Sequence, residues 1–516
     1  MLPRFLSLCA LVVLPVLARG AETSPLAASS SEFVRAQATS AVHWHPWTDA
    51  VLTQAKAQPN SVYVFVGSPL SELTRATINQ TFASEKTIAW LNENFFCIFV
   101  DADAQPDVAA YAQHFINMVK QFKGSPVHLW LTPDTLQPYD GANYLPPSEE
   151  WGKAGFLKAA RSALDTWKLE PARAHALAEE AISMMKLPPL EGSAKINVVA
   201  KLDAAAKAWI ATIDPKNGGF GTAPKLPEPE LIRFLLGRDQ PAQAAALNAA
   251  RALVNGALRD PVDGGFYRRC IDEEWKEPYF QKTLADQARI ALALFEAAEV
   301  AKDAKLRAAG IGALDFVLKE LRNPDGSFAA ALDGTLEENT DPTKRPKFVR
   351  VGSASSAALA QFVVALYKSG QKRLAEQVEK VADSLPSVGV GAHQMLQAHS
   401  VATKADPTAT DLLSAVLMSK ASGEKFKGTG GMLDTANRTY LDANTGAYMA
   451  SPTKLPSGIA VRVPASGDAP SAEVLALLAG VDQKSADLIR RNLLAAIEYD
   501  ELPPGDVLLG LSQGQK

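Results

Sequence analysis

Cysteine is scarce. Three occur in 516 residues, Cys9, Cys97 and Cys270, and no two of them form a Cys-x-x-Cys pair. Dithiol exchange needs a nucleophilic thiolate and a resolving thiol, so no single loop here carries it. An excess of one charge is missing too. A formal net charge of -4, with 21% charged residues, gives no footing for nucleic acid or an acidic membrane surface. Long apolar runs are confined to the amino terminus, and even residues 6–17 are too few to span a bilayer. Apolar residues make up 47% of the chain, enough core for two or three domains.

Residues 1–20 read as a signal peptide. Arg4 supplies the positive region, residues 6–17 the apolar core, and Ala18-Arg19-Gly20 the small residues before a cut after Gly20. The mature protein is expected to be exported, periplasmic or secreted, with no membrane span after signal cleavage. Cys9 leaves with the signal. Cys97 lies in the apolar run 95–100 and Cys270 in a distant loop-like stretch, so two free thiols are expected, although export permits a disulfide. Residues 21–40 are rich in Ala, Ser and Thr and read as a linker.

The stretch 61–82 organises the amino-terminal region. Residues 61–66 are a continuous apolar run ended by Gly67, the pattern of a buried strand. Gly67-Ser68-Pro69 is turn chemistry, and a helix begins at Pro69 or one turn later with Ser71 as N-cap. A strand leading into a helix N-terminus is where thioredoxin-like folds hold Cys-x-x-Cys, because free N–H groups and the helix dipole stabilise a thiolate. The two positions here are Ser71 and Thr74. An alcohol has no anionic form near neutral pH, so the site is a redox motif without sulfur.

Further strands are expected at 95–101 and 127–131, with helices at 84–92, 104–119 and 155–167. Ser125-Pro126, just before the third strand, stands where such folds place a cis-proline. This order gives an α/β thioredoxin-like domain over residues 41–168. His43 and His45 alternate, but aromatic packing with Trp44 and Trp47 is the expectation for them, and no metal or other cofactor is expected.

A connecting helical segment, 169–193, leads into an Ala/Leu-rich region, 194–516, with period near 3.6 and almost no strand pattern. Helices are expected at 194–213, 229–236, 242–258, 281–301, 305–321, 355–369, 371–384, 394–403, 408–422, 471–479 and 484–498. A punctuation recurs between them. Asp214-Pro-Lys-Asn-Gly-Gly-Phe220 is echoed by sequences starting at Asp260, Asn323 and Asp442, at intervals of 46, 63 and 119 residues. Gly, Asp-Pro and Asn-Pro form the turn and the aromatic anchors the returning chain. Helical pairs closed by such loops predict an all-α (α/α) toroid of hairpins; an open solenoid is the alternative.

The same residues resemble a known family, the thioredoxin-domain proteins typified by the spermatogenesis-associated member. Residues 42–47 resemble its Val-Asp-Trp-Tyr-Pro-Trp, and 71–75 align with its Cys-His-Trp-Cys-His. Residues 91–95 match Leu-Asn-Glu-Asn-Phe, and 124–126 and 130–134 match Gly-Trp-Pro and Phe-Leu-Thr-Pro-Asp. In the helical region, 218–225 resemble Gly-Gly-Phe-Gly-x-Ala-Pro-Lys, and 278–286 resemble Pro-His-Phe-Glu-Lys-Met-Leu-Tyr-Asp. The resemblance covers about 41–335 and implies a thioredoxin-like domain joined to a six-hairpin, glycosidase-like toroid. Both redox cysteines are replaced, and Tyr279 and Gln281 stand where the family has His and Glu.

Six-hairpin enzymes set carboxylates in loops at the open end, one as acid and one as base. Asp263, Asp286 and Asp333 are the catalytic candidates, with Asp272 and Asp325 also available. Tyr267, Arg268, Trp275 and Lys282 are the binding candidates: aromatic faces for a sugar ring, cations for an acidic sugar. The alternative reading makes Asp263 and Asp325 turn residues and pairs Lys282 with Asp286 on a helix surface. The candidate partners are a carbohydrate, or an extended peptide held beside Pro126 in a non-catalytic, chaperone-like scaffold.

Overall fold

The computed structural model describes residues 24–29, 31–122, 124–150, 152–187, 197–324, 326–334, 346–372, 375, 412, 435–445, 447–449, 455, 457–461, 483–498 and 502–513. The expected signal peptide, Asp325 and most of the expected helices at 371–384, 394–403, 408–422 and 471–479 lie outside the described residues.

The amino-terminal domain is built on a five-stranded sheet. Its strands are β1 (Trp44–Pro46), β2 (Val62–Gly67), β3 (Phe96–Asp101), β4 (Val127–Leu131) and β5 (Pro138–Ala142), in the order β1-β3-β2-β4-β5. The first three are parallel, β4 pairs antiparallel with β2, and β5 pairs antiparallel with β4. β2, β3 and β4 are buried along their whole length, which is why they read as unbroken apolar runs rather than alternating ones. Alternate side chains feed two cores. Val62, Val64, Val66, Ile98, Val100 and Leu129 meet α2 (Asp49–Lys56) and α5 (Pro106–Phe115) on one face. Tyr63, Phe65, Cys97, Phe99 and Trp130 meet α4 (Glu85–Asn94) and α6 (Phe156–Leu169) on the other.

This domain is larger at both ends than the 41–168 expected from the sequence. The expected linker 21–40 is partly folded core: α1 (Glu32–Ala36) buries Val34, Leu26 is fully buried before it, and Ser31 Oγ donates to Asp101 at 2.5 Å. The expected connecting segment begins with α7 (Pro171–Met185), whose Ala174 and Ala178 enter one core and Ala181 and Met185 the other. Small alanines on one stripe let α7 lie close to the sheet domain, a signal that resembles a solvent-facing helix when only hydropathy is counted.

The helical domain starts with α8 (Val198–Ala211), α9 (Pro229–Leu236) and α10 (Gln240–Asn255), and continues with α11 (Leu284–Ala301), α12 (Ala304–Phe316) and α13 (Ser356–Ser369). Further along come α14 (Gln483–Glu498) and α15 (Gly505–Gln513). α15 has no counterpart among the expected helices, and it brings the end of the chain back to the first helices of this domain. It packs on α9 and α8, placing Leu508, Leu509 and Leu511 in one core with Leu202, Leu231 and Leu235. Trp209 Nε1 donates to the Pro503 carbonyl at 2.9 Å. A Cβ on Gly505 would stand 2.5 Å from the Leu231 nitrogen, so the approach of the two helices requires glycine there.

The four punctuating loops share one geometry. Ile213 bridges Phe220, Arg259 bridges Phe266, Arg322 bridges Phe328 and Leu441 bridges Tyr448. In each, the leading Asp or Asn N–H donates to the carbonyl just before the aromatic: Gly219, Gly265, Ser327 and Ala447. The four rings are buried, and burying one such ring contributes about 2–3 kcal/mol. Gly265 has φ +71, and a Cβ there would meet the Phe316 ring at 2.7 Å, so no other residue fits this turn.

The helical region also holds strands that its periodicity does not announce. β6 (Gln281–Thr283), β7 (Ala329–Asp333) and β8 (Val349–Ser353) form a small antiparallel sheet. Residues 281–283 are therefore extended, and the helix expected from 281 begins at Leu284 with Thr283 as N-cap.

Candidate functional site

Ser71 is the N-cap of α3 (Glu72–Ala76), its Oγ accepting from the Thr74 N–H at 3.2 Å. The Ser71 hydroxyl donates to the Ser125 carbonyl at 3.3 Å, and Thr74 Oγ1 lies 3.2 Å from Ser125 Oγ. The Ser125-Pro126 peptide is cis. Both alcohols thus sit beside the proline segment at the head of a helix, the scaffold of a dithiol site with oxygen in place of sulfur.

Three of the four binding candidates in the helical domain are withdrawn from solvent. Trp275 is buried, and its Nε1 donates to the Gly218 carbonyl at 3.1 Å. Tyr267 is buried and its hydroxyl donates to Asp260 at 3.1 Å. Lys282, 1% exposed, bonds the carboxylate of Asp260 and the Gly264 carbonyl. Its ammonium also lies over the rings of Tyr267, Phe316 and Phe348, 4.8, 4.6 and 5.4 Å from their centroids. The pairing of Lys282 with Asp286 on a helix surface is therefore corrected: Lys282 is on a strand, and its partner is Asp260. An equivalent buried lysine serves the first loop, where Lys225 bonds Asp214 at 2.9 Å and the Gly218 carbonyl at 3.2 Å.

The carboxylates fall into different roles. Asp286 Oδ2 accepts from the Thr283 hydroxyl at 2.6 Å while its N–H donates back at 3.0 Å, a reciprocal cap on α11. Asp263 is exposed in the second punctuating loop, and the carboxylate that braces that turn is Asp260, which accepts from the Val262 N–H. Asp333, fully buried on β7, lies elsewhere, at the boundary between the domains.

That boundary is where the two sequence-level sites meet. Arg75, on α3, pairs with Asp333 Oδ2 at 3.2 Å and donates to the Pro69 carbonyl at 2.8 Å. Gln281 Nε2 donates to the same Asp333 oxygen at 2.7 Å and to the Leu70 carbonyl at 3.0 Å. Gln281 Oε1 accepts from Arg268 NH1 at 3.0 Å. Alongside, the Tyr279 hydroxyl donates to Glu72 at 3.1 Å, and the Arg269 guanidinium covers the Tyr279 ring at 4.3 Å. The residues flanking the degenerate motif are thus bonded to residues of the small sheet. Arg75, Asp333, Gln281 and Arg268 form a continuous chain of planar polar groups, and its last member, Arg268, is exposed. Arg75 and Gln281 are not among the candidates that sequence reasoning picks out; they are far apart in sequence, and only their substitution in the aligned motifs marks them.

Residues 23–186 match a family model described as Thioredox_DsbH, protein of unknown function, DUF255. Spermatogenesis-associated protein 20 of Rattus norvegicus is 29% identical over 323 residues, which are 59% of this chain and 40% of that protein. The Homo sapiens protein of the same name is 29% identical over 337 residues, 61% of this chain and 42% of that protein. The chain is similar to these proteins. It matches about two-fifths of their length. Among solved structures, a sugar epimerase from a ruminal bacterium aligns over 58% of this chain and 86% of its own, with 14% identity and a TM-score of 0.42.

The remaining cysteines offer no substitute for the missing thiols. Burial pushes the Cys97 thiol far above its ordinary range, and burial together with the nearby charge of Asp272 pushes Cys270 up to about 12. The folded protein is expected to leave both thiols unmodified by a thiol-exchange reagent at pH 8 and to label both after denaturation. Rapid labelling of the native form would show that one of them is accessible as thiolate.

Proposed function

We propose that this is an exported, redox-inactive protein that binds carbohydrate at the junction of its two domains. The observation that carries the reading is the chain from Arg75 through Asp333 and Gln281 to the exposed Arg268. Sugar hydroxyls need donors and acceptors held in fixed directions. Gln281 and Asp333 are fully buried, so their role is to hold the exposed Arg268 guanidinium in a fixed direction at low entropic cost on binding. Export rests on Arg4, the apolar run 6–17 and the small residues before Ala21. No reaction is assigned: among the candidate carboxylates, Asp286 caps a helix and Asp333 is held in an ion pair.

The test is a thermal-shift screen of the full chain against neutral sugars and uronic acids. A ligand that binds only the native state raises the melting temperature, by an amount that grows with its concentration. An increase of several degrees at millimolar sugar is expected, and Arg268→Gln should reduce it. A flat response across the panel would refute the reading.

A second reading is supported by a separate observation. Leu73, between Ser71 and Thr74, and Met118 and Phe122, on the segment before Ser125-Pro126, are exposed at 43, 41 and 49%. Exposed apolar side chains beside a proline segment suit an extended peptide. Binding of an unfolded model peptide that is undiminished in the Arg268→Gln variant would favour this reading.

A further inference from the structure

We infer that the junction selects an acidic sugar, with Arg268 taking its carboxylate and Arg75, in the other domain, acting as a positioning residue. The inference rests on the carbohydrate reading and narrows it. Arg268 has five N–H donors. One of them goes to Gln281 Oε1 at 3.0 Å, and the residue is otherwise exposed. A guanidinium held at one edge and open at the other matches the two oxygens of a carboxylate. Lysine cannot share this role here, because Lys282 is buried under three rings and bonded to Asp260.

The orientation of Arg268 is set from across the boundary. Gln281 faces two acceptors, the Leu70 carbonyl and Asp333 Oδ2, at 3.0 and 2.7 Å. Its amide nitrogen must point at them, which turns its oxygen to Arg268. Asp333 is fully buried, and Arg75 lies beside it at 3.2 Å. Remove Arg75 and a buried carboxylate loses the positive charge that balances it. Gln281 then keeps the Leu70 carbonyl but loses a firmly held carboxylate acceptor, and Arg268 is held less tightly in direction. Arg75 acts on the ligand without touching it. The helix that would carry a redox motif has become one wall of the neighbouring domain's site.

The experiment is calorimetric titration of the full chain at low salt with D-glucuronate, D-glucose and acetate. Glucuronate is expected to bind at least tenfold more tightly than either of the others. Arg268→Gln should remove that preference, so that glucuronate binds no more tightly than glucose. Arg75→Ala should reduce it several-fold, and Arg75→Lys should restore most of it. A purely structural role for Arg75 would weaken glucose and glucuronate alike. Equal affinity for the two sugars would overturn the acidic class while leaving the carbohydrate site standing. Acetate binding as tightly as glucuronate would mean a simple anion site, against the sugar assignment. No binding of either sugar would remove the carbohydrate reading itself. A preference unchanged in Arg75→Ala would overturn the positioning role. Should Arg75→Ala not fold, Arg75→Lys and Arg268→Gln still decide: loss of preference in the second with retention in the first is the expected pair.

Discussion

Replacing Asp260 by asparagine is expected to destabilise the helical domain by about 3–5 kcal/mol, the range for breaking a buried ion pair from one side. Asp260 is 2% exposed and Lys282 1%. The carboxylate accepts from Lys282, from the Tyr267 hydroxyl and, through its other oxygen, from the Val262 N–H. The variant keeps the turn-forming acceptor but takes the negative charge away from a buried ammonium, whose other neighbours include one carbonyl and three aromatic faces. Those faces are worth about 0.5–2 kcal/mol each, too little to replace a carboxylate. The double variant Asp260→Asn with Lys282→Met removes the stranded charge and should recover much of the loss. Urea denaturation followed by circular dichroism measures both. A loss below about 1 kcal/mol in the single variant, far under the range for a buried pair, would mean that water reaches Lys282 and that the pair is not sealed.

The second large effect is acid lability centred on His128. This residue is fully buried on β4, with Nδ1 2.6 Å from the Tyr63 hydroxyl and Nε2 without a hydrogen-bond partner. The rings of Tyr63, Phe65 and Phe156 surround it. Burial lowers its pKa from 6.5 to about 3. An unfolded chain takes up a proton here as the pH falls through 6.5, whereas the folded chain stays neutral until about 3. The contribution of this group is therefore fully present above pH 6.5 and is lost as the pH falls from 6.5 towards 3, at up to about 1.4 kcal/mol per pH unit. His45 and His114 are also lowered by burial, and Asp101 and Asp107 are raised by it. The difference between wild type and His128→Leu isolates the one imidazole: the variant should gain relative stability on acidification. Parallel stability curves between about pH 7 and about pH 4.5 would sink this account.

Much of the architecture is legible in the sequence because its signals are local. The apolar run before Gly67, the Ser125-Pro126 pair and the Gly-Gly-Phe loops each fix a short stretch of backbone, and neighbouring residues carry the instruction. The three-residue strand β6 has no such signature. Gln281-Lys282-Thr283 is polar and sits against a strongly helical run, so periodicity extends the helix over it. Only pairing with β7 makes it a strand. That one shift decides the fate of Lys282: on a helix it would face solvent near Asp286, whereas on the strand it enters the core. The junction is illegible for a related reason. Arg75 and Asp333 lie in different domains, and nothing in either neighbourhood marks the other. Tyr267 and Trp275 suggest sugar platforms because aromatic loop residues can do that work, but the turns around them draw both rings inward.

α15 docks on α9 and α8, so the first hairpin of the ring cannot be covered until residues 505–513 are available. During vectorial synthesis, Leu231 and Leu235 remain without their final neighbours while almost the whole chain is made. The sheet domain, whose residues come first, assembles most of its core early, although Leu455, Ile459, Ala460 and Val461 join that core late. The nascent molecule therefore passes through a long interval with a nearly complete head and an uncovered first hairpin, and that interval is when a holdase would have most to grip.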